Sequence, residues 1–453
     1  MATIFWFRRD LRLADNPALN AAIEASPDRE VYPFYAMPKA DFTALAAIRQ
    51  HSVFESLKSL DASLGGKLSV SDQSPAVSLL DAAKALDTRA VYATRAFDPA
   101  GVAEQNSVGE ALSANGIALH LVDSYYAVIP GTVAKPDLTP YRVYTPFFKA
   151  WEVLGWANPY KLASGAVWLH HSGSPEILTP TAPAKFQVKA GEQFALRTWA
   201  RFKERALDDY NDARNRADVS GTSHLSHALA FGEIHPRTLL AELNDSAGQT
   251  TFRKEIAWRE FYADVLWHNP HTVDGYYDAK YEAMRYDVGP EADDKLSAWQ
   301  QGKTGYPMVD AGMRQLLETG WMHNRVRMIV ASFLVKDLHI EWQNGARWFE
   351  QNLSDFDPAS NSHGWQWTAG CGTDASPYYR VFNPILQGYK FDPNGDYVRK
   401  FVPELRHIEG PEIHEPSKLI DGLVHGYPMP IVDHYVERDE ALARLEEIKL
   451  KAN

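Results

Sequence analysis

Two stretches of the sequence combine an indole with charged or amide groups at the spacing of one helical face. The first set, in a helix predicted over 252–268, is Glu255, Trp258, Arg259 and Tyr262. The second set, in a helix predicted to begin at Trp321 and to run to residue 338, is Trp321, Asn324, Arg325 and Met328. Ion pairs between residues four apart would explain one exposed face of this kind. The same combination of an indole with polar groups on a second helix makes ion pairing a less satisfactory explanation.

A third cluster, in the turn-rich stretch 355–370, holds two carboxylates, an amide and paired indoles. Its members are Asp355, Asp357, Asn361, Trp365 and Trp367. Paired acids would suit a metal or acid–base chemistry, but no water-activating partner set accompanies them, and Asp-x-Asp in a loop is often a helix cap. The sequence has no G-x-S-x-G nucleophile elbow and no Cys/His cluster with metal spacing. We therefore expect neither a serine hydrolase nor a metal site.

A small, hydroxyl-rich segment, Gly221 to Ser226, stands before the apolar run from His227 to Phe231. Its backbone N–H groups and hydroxyls could hold an anion at the start of a helix. Most such segments are plain helix caps, so this segment alone is weak evidence for a ligand.

Composition limits the class of protein. A chain of 453 residues is too long for a single core, and 45% hydrophobic with 23% charged residues describes a soluble globular protein. No leader or membrane-spanning run is evident, and the single Cys371 fits a reducing cytoplasm. The net charge of −12 argues against indiscriminate binding of polyanions, although basic residues gather in the second half and would permit a local basic surface.

The periodicity predicts two domains of different class. Residues 1–125 alternate β-type runs with helical patterns, which predicts an α/β domain with a doubly wound parallel five-stranded sheet. The predicted strands are 3–7, 31–35, 68–70, 90–93 and 117–122. The pattern fades over 126–190, a predicted interdomain linker, and 191–453 is predicted to be an all-α domain.

Six motifs in order resemble the photolyase/cryptochrome family, most closely the class I cyclobutane pyrimidine dimer photolyases. They are FRRDLRLADN at 7–16, GTSHLS at 221–226, WREFY at 258–262, KTGYP at 303–307, WMHNR at 321–325, and 365–384 with its WQW and DASPYYRVFNP segments. Each motif is weak alone, but the match extends from about residue 3 to about residue 405. The resemblance implies an N-terminal antenna domain, a linker, and a helical domain that binds FAD and DNA.

The resemblance assigns a set of FAD-binding residues: Tyr210, Thr222, Ser223, His224, Leu225, Ser226, Arg259, Arg327, Asp355, Asp357 and Asn361. Tyr210 and the hydroxyl segment would hold the diphosphate, although the family often has arginine where His224 stands. Arg327 and Asp355 would pair beside the isoalloxazine, and Asp357 would lie near the ribose or adenine. Asn361 matches the position that faces flavin N5.

The resemblance also implies a substrate, a pyrimidine dimer flipped out of ultraviolet-damaged DNA. The residues assigned to it are Arg214, Glu255, Trp258, Tyr262, Asn324, Arg325, Met328, Trp367 and Gln387. Photolyases that act on (6-4) products have histidines at the positions of Asn324 and Met328, so the sequence favours cyclobutane dimers. Glu255, Asn324 and Asn361 would act in the light-driven electron transfer, together with Trp365 and Trp342 as the inner members of a tryptophan relay.

Some features of the family are left open by the sequence. The outer relay position is Gly289, so either Tyr286 or Trp299 substitutes for it or flavin photoreduction is inefficient. An antenna chromophore would be a folate, an 8-hydroxydeazaflavin or another flavin, or would be lacking. The alternative function is a cryptochrome-type blue-light photoreceptor, but Asn361 and the intact dimer-facing residues favour repair. We expect a cytoplasmic monomer that does not bind membranes.

Overall fold

The computed structural model describes residues 1–170, 176–182, 188–374 and 379–451, which form two compact units. The first unit comprises Met1–Asp208 and Ser223–Pro270, and the second comprises Asp209–Thr222 and His271–Asn453. Residues 375–378 of the sixth motif and two short parts of the predicted linker lie outside the described residues. The three-part division drawn from the sequence at residues 125 and 190 stays a prediction.

A parallel sheet forms the core of the first unit. Its strands are β1 (Thr3–Phe7), β2 (Glu30–Ala36), β3 (Ser69–Ser71), β4 (Ala90–Thr94), β5 (Ala118–Val122) and β6 (Val167–Trp168). The order is β3-β2-β1-β4-β5, and β6 pairs with the start of β2. All five residues of β1 are buried, as expected for a parallel strand covered on both faces. The predicted five-stranded sheet is confirmed, and the two-residue β6 is an addition from within the predicted linker.

Nineteen α-helices are found among the described residues. In chain order they are α1 (Pro17–Ala25), α2 (Lys39–Ala44), α3 (Ala47–Ser63), α4 (Pro75–Ala85), α5 (Pro99–Ser113), α6 (Tyr144–Leu154), α7 (Glu192–Arg205), α8 (Tyr210–Ala213), α9 (Ser226–Ala230), α10 (Pro236–Leu240), α11 (Ala247–His268), α12 (Pro290–Gln301), α13 (Pro307–Thr319), α14 (Asn324–Lys336), α15 (Trp342–Asn352), α16 (Pro358–Ala369), α17 (Pro384–Phe391), α18 (Asp396–Phe401) and α19 (His434–Lys451). The described residues after Gly191 contain no strand, which confirms the predicted helical region.

The second unit is held together by closely packed helices. A Cβ on Gly312 of α13 would lie 2.4 Å from the Val326 side chain of α14. A Cβ on Gly345 of α15 would lie 2.1 Å from the Trp365 ring of α16. Both glycines are therefore required by close approach, and they bring α13 to α16 around a core that includes Trp299 and Trp342.

Helix α14 begins later than the sequence predicted. It starts at Asn324, because the ring nitrogen Nδ1 of His323 accepts a hydrogen bond from Arg325 N and caps the first turn. Trp321 precedes the helix, so the expectation that it shares a helical face with Asn324, Arg325 and Met328 was wrong. The periodic pattern begins at Trp321, but the side-chain cap formed by His323 places the start of the helix at Asn324.

The predicted linker is partly helical and packs on α11. Glu260, on the buried side of α11, accepts hydrogen bonds from Ala127 N at 2.5 Å, Val128 N at 3.1 Å and Trp151 Nε1 of α6 at 2.6 Å. Burial raises the pKa of Glu260 to about 7, and its donors oppose that rise. Within the part of the chain that the structure describes, no helix combines the length and the apolarity needed to cross a bilayer.

Candidate functional site

One face of α11 carries the first cluster predicted from the sequence. Glu255, Trp258, Arg259 and Tyr262 are all partly exposed, whereas Ile256, Glu260 and Phe261 face the interior. Helical spacing brings the four together on one side, as predicted. The structure therefore offers a carboxylate, an indole, a guanidinium and a phenol along one accessible stripe.

Trp258 is stacked on an aromatic residue that the sequence reading did not select. The rings of Trp258 and Tyr144, the first residue of α6, lie 3.7 Å apart between centroids at an interplanar angle of 8°. Tyr262 lies 5.4 Å from Trp258 at a tilted angle. The signal that could have found Tyr144 is the helically spaced aromatic run Tyr-Thr-Pro-Phe-Phe-Lys-Ala-Trp at 144–151.

Arg259 is engaged with the backbone of its own unit. Its guanidinium donates to Tyr125 O at 3.2 Å and Leu229 O at 3.3 Å and lies 4.5 Å from the Tyr126 ring centroid. These contacts tie the segment after β5 and helix α9 to α11. A role for Arg259 in binding a cofactor stays a prediction.

The hydroxyl-rich segment contains a turn before the short helix α9. His224 adopts a positive φ of 53°, and Ser223 Oγ accepts a hydrogen bond from Leu225 N at 3.3 Å. Ser226 is the first residue of α9. Thr222 belongs to the second unit, as do Tyr210 and Arg214, whose guanidinium lies 5.8 Å from the Tyr210 ring centroid. Phosphate binding by this segment stays a prediction.

In the second unit, Arg327 and Asp355 form the ion pair that was predicted. Arg327 Nη2 lies 2.6 Å from Asp355 Oδ2, and Arg327 Nε donates to Met322 O at 2.9 Å. The Asp355 side chain is almost wholly buried, and its second oxygen, Oδ1, has no hydrogen-bond partner among the described residues. A buried carboxylate oxygen in this state fits a bound ligand that presents an N–H or O–H donor.

Helix α16 begins three residues after Asp355, and one of its faces is partly exposed. Asp357 caps the helix by accepting a hydrogen bond from Ser360 N at 2.8 Å, so the Asp-x-Asp pattern includes a true helix cap. Asn361, Gly364 and Trp367, three residues apart, are each partly exposed, and a Cβ on Gly364 would meet nothing within 4 Å. A glycine inside a helix is unfavourable by about 1 kcal/mol, and the lack of a side chain here leaves this face of α16 open. Gly364 was not selected from the sequence.

The polar groups of this face are held in place by the backbone. Asn361 Nδ2 donates to Ala346 O of α15 at 3.1 Å, which leaves the amide oxygen available to accept. Trp367 Nε1 donates to Asp374 O at 3.1 Å. Both side chains are thereby fixed in orientation, as a binding site requires.

The first turns of α14 bring Asn324, Arg325 and Met328 to one side. Asn324 is exposed, and Met328 is partly exposed. Arg325 Nη2 donates to Asn215 Oδ1 at 2.7 Å, and the guanidinium lies 4.7 Å from the Phe391 ring centroid. Gln387 of α17 is partly exposed. Their DNA contacts stay predictions, and Arg325 would have to exchange its protein contacts for a phosphate.

The indoles assigned to the relay are buried. Trp365 is 2% exposed, and Trp342 and Trp299 are 0% exposed. The Trp299 and Trp365 rings lie 6.2 Å apart. With no exposed edge, Trp299 does not itself provide a relay member at the surface, whereas Tyr286 is partly buried. The relay stays a prediction.

A cavity of about 200 Å³ lies in the first unit at the carboxyl ends of β1, β2 and β4. Ligands of doubly wound sheets bind at this edge, where the strand order reverses. The Arg8 guanidinium lines the cavity, pairs with Glu104 at 2.7 Å and lies 4.5 Å from the Trp6 ring centroid. This is the position that an antenna chromophore would suit, and that expectation stays a prediction.

Comparison with known proteins gives matches over both regions. A family model described as DNA photolyase matches residues 3–160, and one described as the FAD binding domain of DNA photolyase matches residues 252–447. The deoxyribodipyrimidine photo-lyase of Agrobacterium fabrum strain C58 is 39% identical, with 98% of each chain covered.

Two solved structures are similar over almost the whole chain. A class III photolyase from Agrobacterium tumefaciens has a TM-score of 0.90 and 38% identity, covering 99% of this chain and 98% of that one. A Synechocystis cryptochrome has a TM-score of 0.87 and 26% identity, with 98% of both chains covered. The chain therefore belongs to the photolyase/cryptochrome family. Its class within the family, predicted from the motifs as class I, stays a prediction.

Proposed function

We propose that this protein binds FAD and uses blue light to split cyclobutane pyrimidine dimers in ultraviolet-damaged DNA, as a carbon–carbon lyase. The observation that carries the proposal is the open face of α16. Asn361, assigned to the flavin, and Trp367, assigned to the dimer, lie on that same face. Six residues of helix separate them by about 9 Å along the axis, a short path for an electron.

The residues of the second unit fit FAD. The unpartnered Asp355 oxygen would accept from the flavin, Arg327 would hold that carboxylate in place through its ion pair, and Asn361 would hydrogen-bond near N5 through an amide that both donates and accepts. Tyr210 and Thr222 to Ser226 are proposed to hold the diphosphate. The chemistry that FAD supplies, when bound in its reduced form, is the loan of one electron to the dimer under blue light.

The protein's own side chains bind the dimer and exclude water from it. Trp258 and Trp367 are each proposed to pack on the fused pyrimidines, since every base presents a π-face to an aromatic residue. Glu255 would hydrogen-bond the dimer and stabilise the charge that develops on it. Asn324, Met328 and Tyr262 would complete the contacts with the dimer, Arg325 would contact a phosphate, and Arg214 and Gln387 would make further contacts with the DNA.

Repair is tested by exposing the reduced, FAD-containing protein and an ultraviolet-irradiated oligo-dT to blue light. The ultraviolet absorbance of the restored bases should rise in the light and stay constant in the dark. A light sample that matches the dark one would remove the repair proposal. Because a cryptochrome of known structure shares the fold, a flavin that responds to light without any repair would favour the photoreceptor function.

Trp258→Ala should weaken binding of a dimer-containing oligonucleotide by roughly 1–3 kcal/mol, because one base-stacking indole is lost. The matched control is Trp267→Ala on the same helix. Trp267 is 41% exposed and lies nine residues, or about two and a half turns, further along, on the opposite face. Binding is measured by fluorescence anisotropy. Equal affinities for the two variants would show that the dimer does not pack on Trp258.

A further inference from the structure

We propose that Tyr144 is a positioning residue that holds the Trp258 indole in the orientation needed to stack on the dimer. This inference rests on the proposed function, because it takes Trp258 as a surface for the lesion. It starts from the nearly parallel stack of the two rings, 3.7 Å apart at 8°. Tyr144 lies in the predicted linker, which the sequence had assigned only the role of joining domains.

Tyr144 contacts the Trp258 turn of α11 at two points. The ring covers one face of the indole, and the Tyr144 hydroxyl donates to Lys254 O at 2.7 Å. In an α-helix the carbonyl of residue 254 is also the acceptor for the N–H of residue 258. One side chain therefore fixes both the indole plane and the backbone turn from which the indole projects.

The platform under Trp258 is itself rigid. Tyr144 is 8% exposed, and Phe147 and Trp151 of the same helix are buried at 1% and 0%. Phe147 packs on Phe261 of α11 at 5.1 Å, and Trp151 donates to Glu260 at 2.6 Å. Helix α6 is thus fastened to α11 by an aromatic contact and a buried hydrogen bond, so Tyr144 has little freedom to move away.

Two consequences follow for binding. A ligand can stack only on the indole face that Tyr144 leaves uncovered. The indole also has fewer rotamers in the free protein, so less conformational entropy is lost when a dimer is bound. Removing the Tyr144 ring should therefore weaken lesion binding even though Trp258 itself is intact.

The test compares Tyr144→Leu, Tyr144→Phe and Phe148→Leu in the full-length, FAD-containing protein. Phe148→Leu removes a neighbouring ring of the same helix, one that stacks on Tyr144 at 5.9 Å, and should weaken lesion binding less than Tyr144→Leu does. Tyr144→Leu should weaken binding of a dimer-containing oligonucleotide roughly 3- to 10-fold, the cost of leaving one side chain mobile. Binding of the undamaged oligonucleotide should not change. Tyr144→Phe retains the ring and should stay within about 2-fold of wild type.

A double-mutant cycle separates positioning from general stability. On a Trp258→Ala background, Tyr144→Leu should cause no further loss of lesion affinity, because there is no indole left to orient. Independent, additive losses would overturn the proposal, and so would wild-type affinity in Tyr144→Leu. If Tyr144→Leu lowers the flavin content, Tyr144→Met, which keeps more of the volume, takes its place in the cycle. Full lesion affinity in Trp258→Ala would show that the lesion does not stack on Trp258, and it would overturn the Tyr144 proposal as well. Light-driven repair is tested independently, by the absorbance assay.

Discussion

At the scale of single residues, Asp355 is the group whose environment most clearly implies a missing donor. One of its oxygens accepts from Arg327, and the other is buried with no partner among the described residues. A buried, unsatisfied acceptor is unfavourable in the protein alone and becomes favourable when a ligand donates to it. In the proposed function FAD supplies this donor, and the carboxylate would then couple FAD binding to the Arg327 ion pair.

Asp355→Asn keeps the shape of the side chain but removes its charge and replaces one acceptor with a donor. FAD affinity should fall by about 1–3 kcal/mol, the cost of a lost or reversed buried hydrogen bond. The measurement is the dissociation constant from flavin fluorescence, with the flavin-to-protein absorbance ratio as a second readout. Asp287→Asn, which removes a carboxylate paired with Arg444 at 2.8 Å, is the control. Full FAD affinity in Asp355→Asn would contradict the assignment.

Lys336 gives a second prediction at this scale, one that depends on pH. Burial lowers the pKa of Lys336 to about 7, although its Nζ donates to Arg380 O at 2.5 Å and lies 4.1 Å from the Tyr379 ring centroid. The pKa of a lysine in an unfolded chain is about 10.4. Between these values the unfolded chain binds more protons than the folded protein, so the contribution of Lys336 to stability rises with pH.

Lys336→Met removes this dependence. The free energy of unfolding of the wild type relative to the variant should therefore increase from about pH 7 to about pH 10, and should be constant below pH 7, where the lysine is protonated in both states. Urea unfolding at several pH values measures the difference. A difference independent of pH across that range would mean that the buried amine titrates normally.

At the scale of elements, the packing of α6 on α11 determines how the α11 stripe is presented. Trp151, Phe147 and Tyr144 follow one face of α6 and contact α11. Glu260 fastens the start of the linker to the same helix through two backbone N–H groups. Phe147, Trp151 and the start of the linker cover the buried side of α11, so the stripe of Glu255, Trp258, Arg259 and Tyr262 lies on its accessible side.

Glu260→Gln should destabilise the first unit by about 1–3 kcal/mol. The carboxylate accepts three N–H donors, whereas a glutamine offers one acceptor oxygen and turns an NH₂ group towards a donor. Thermal or urea unfolding followed by near-ultraviolet circular dichroism measures the loss. Glu255→Gln, on the partly exposed side of α11, serves as the control and should change stability little. Equal stability of both variants would show that the Glu260 contacts contribute nothing net.

At the scale of the whole molecule, the net charge of the chain is negative, whereas the side chains proposed to contact DNA phosphates are positive. The chain carries a formal charge of −12, which repels a polyanion at long range. The two cationic residues proposed to contact the DNA, Arg214 and Arg325, belong to the second unit. Binding should therefore depend on a few local phosphate contacts rather than on general attraction.

Affinity for damaged DNA should fall as salt rises, because each phosphate contact releases condensed counterions. Arg214→Gln should reduce the slope of log K against log salt by about one unit and weaken damaged and undamaged DNA alike. Arg253→Gln, which replaces a cation paired with Asp245 at 3.1 Å and assigned no DNA contact, should leave the slope unchanged. Titrations at four or more salt concentrations give both slopes. A wild-type affinity that does not respond to salt would contradict backbone contacts altogether.

The sequence determined the elements and the family. The five predicted strands are all present within one or two residues, since alternating and continuous apolar runs are local signals. The ordered motifs identified the family and the residues assigned to FAD and DNA. The same local reading placed the start of α14 three residues too early, because the cap formed by His323 is a property of one side chain and not of the pattern.

Only the tertiary structure decided which groups lie side by side. The stack of Tyr144 on Trp258 is accompanied by a hydrogen bond between residues 110 apart, and the bonds of Glu260 reach residues more than a hundred positions earlier. The complete burial of Trp299 and the open space above Gly364 likewise depend on neighbouring helices. Contacts of this kind arise when distant elements pack together, so the periodicity of a single segment holds no information about them.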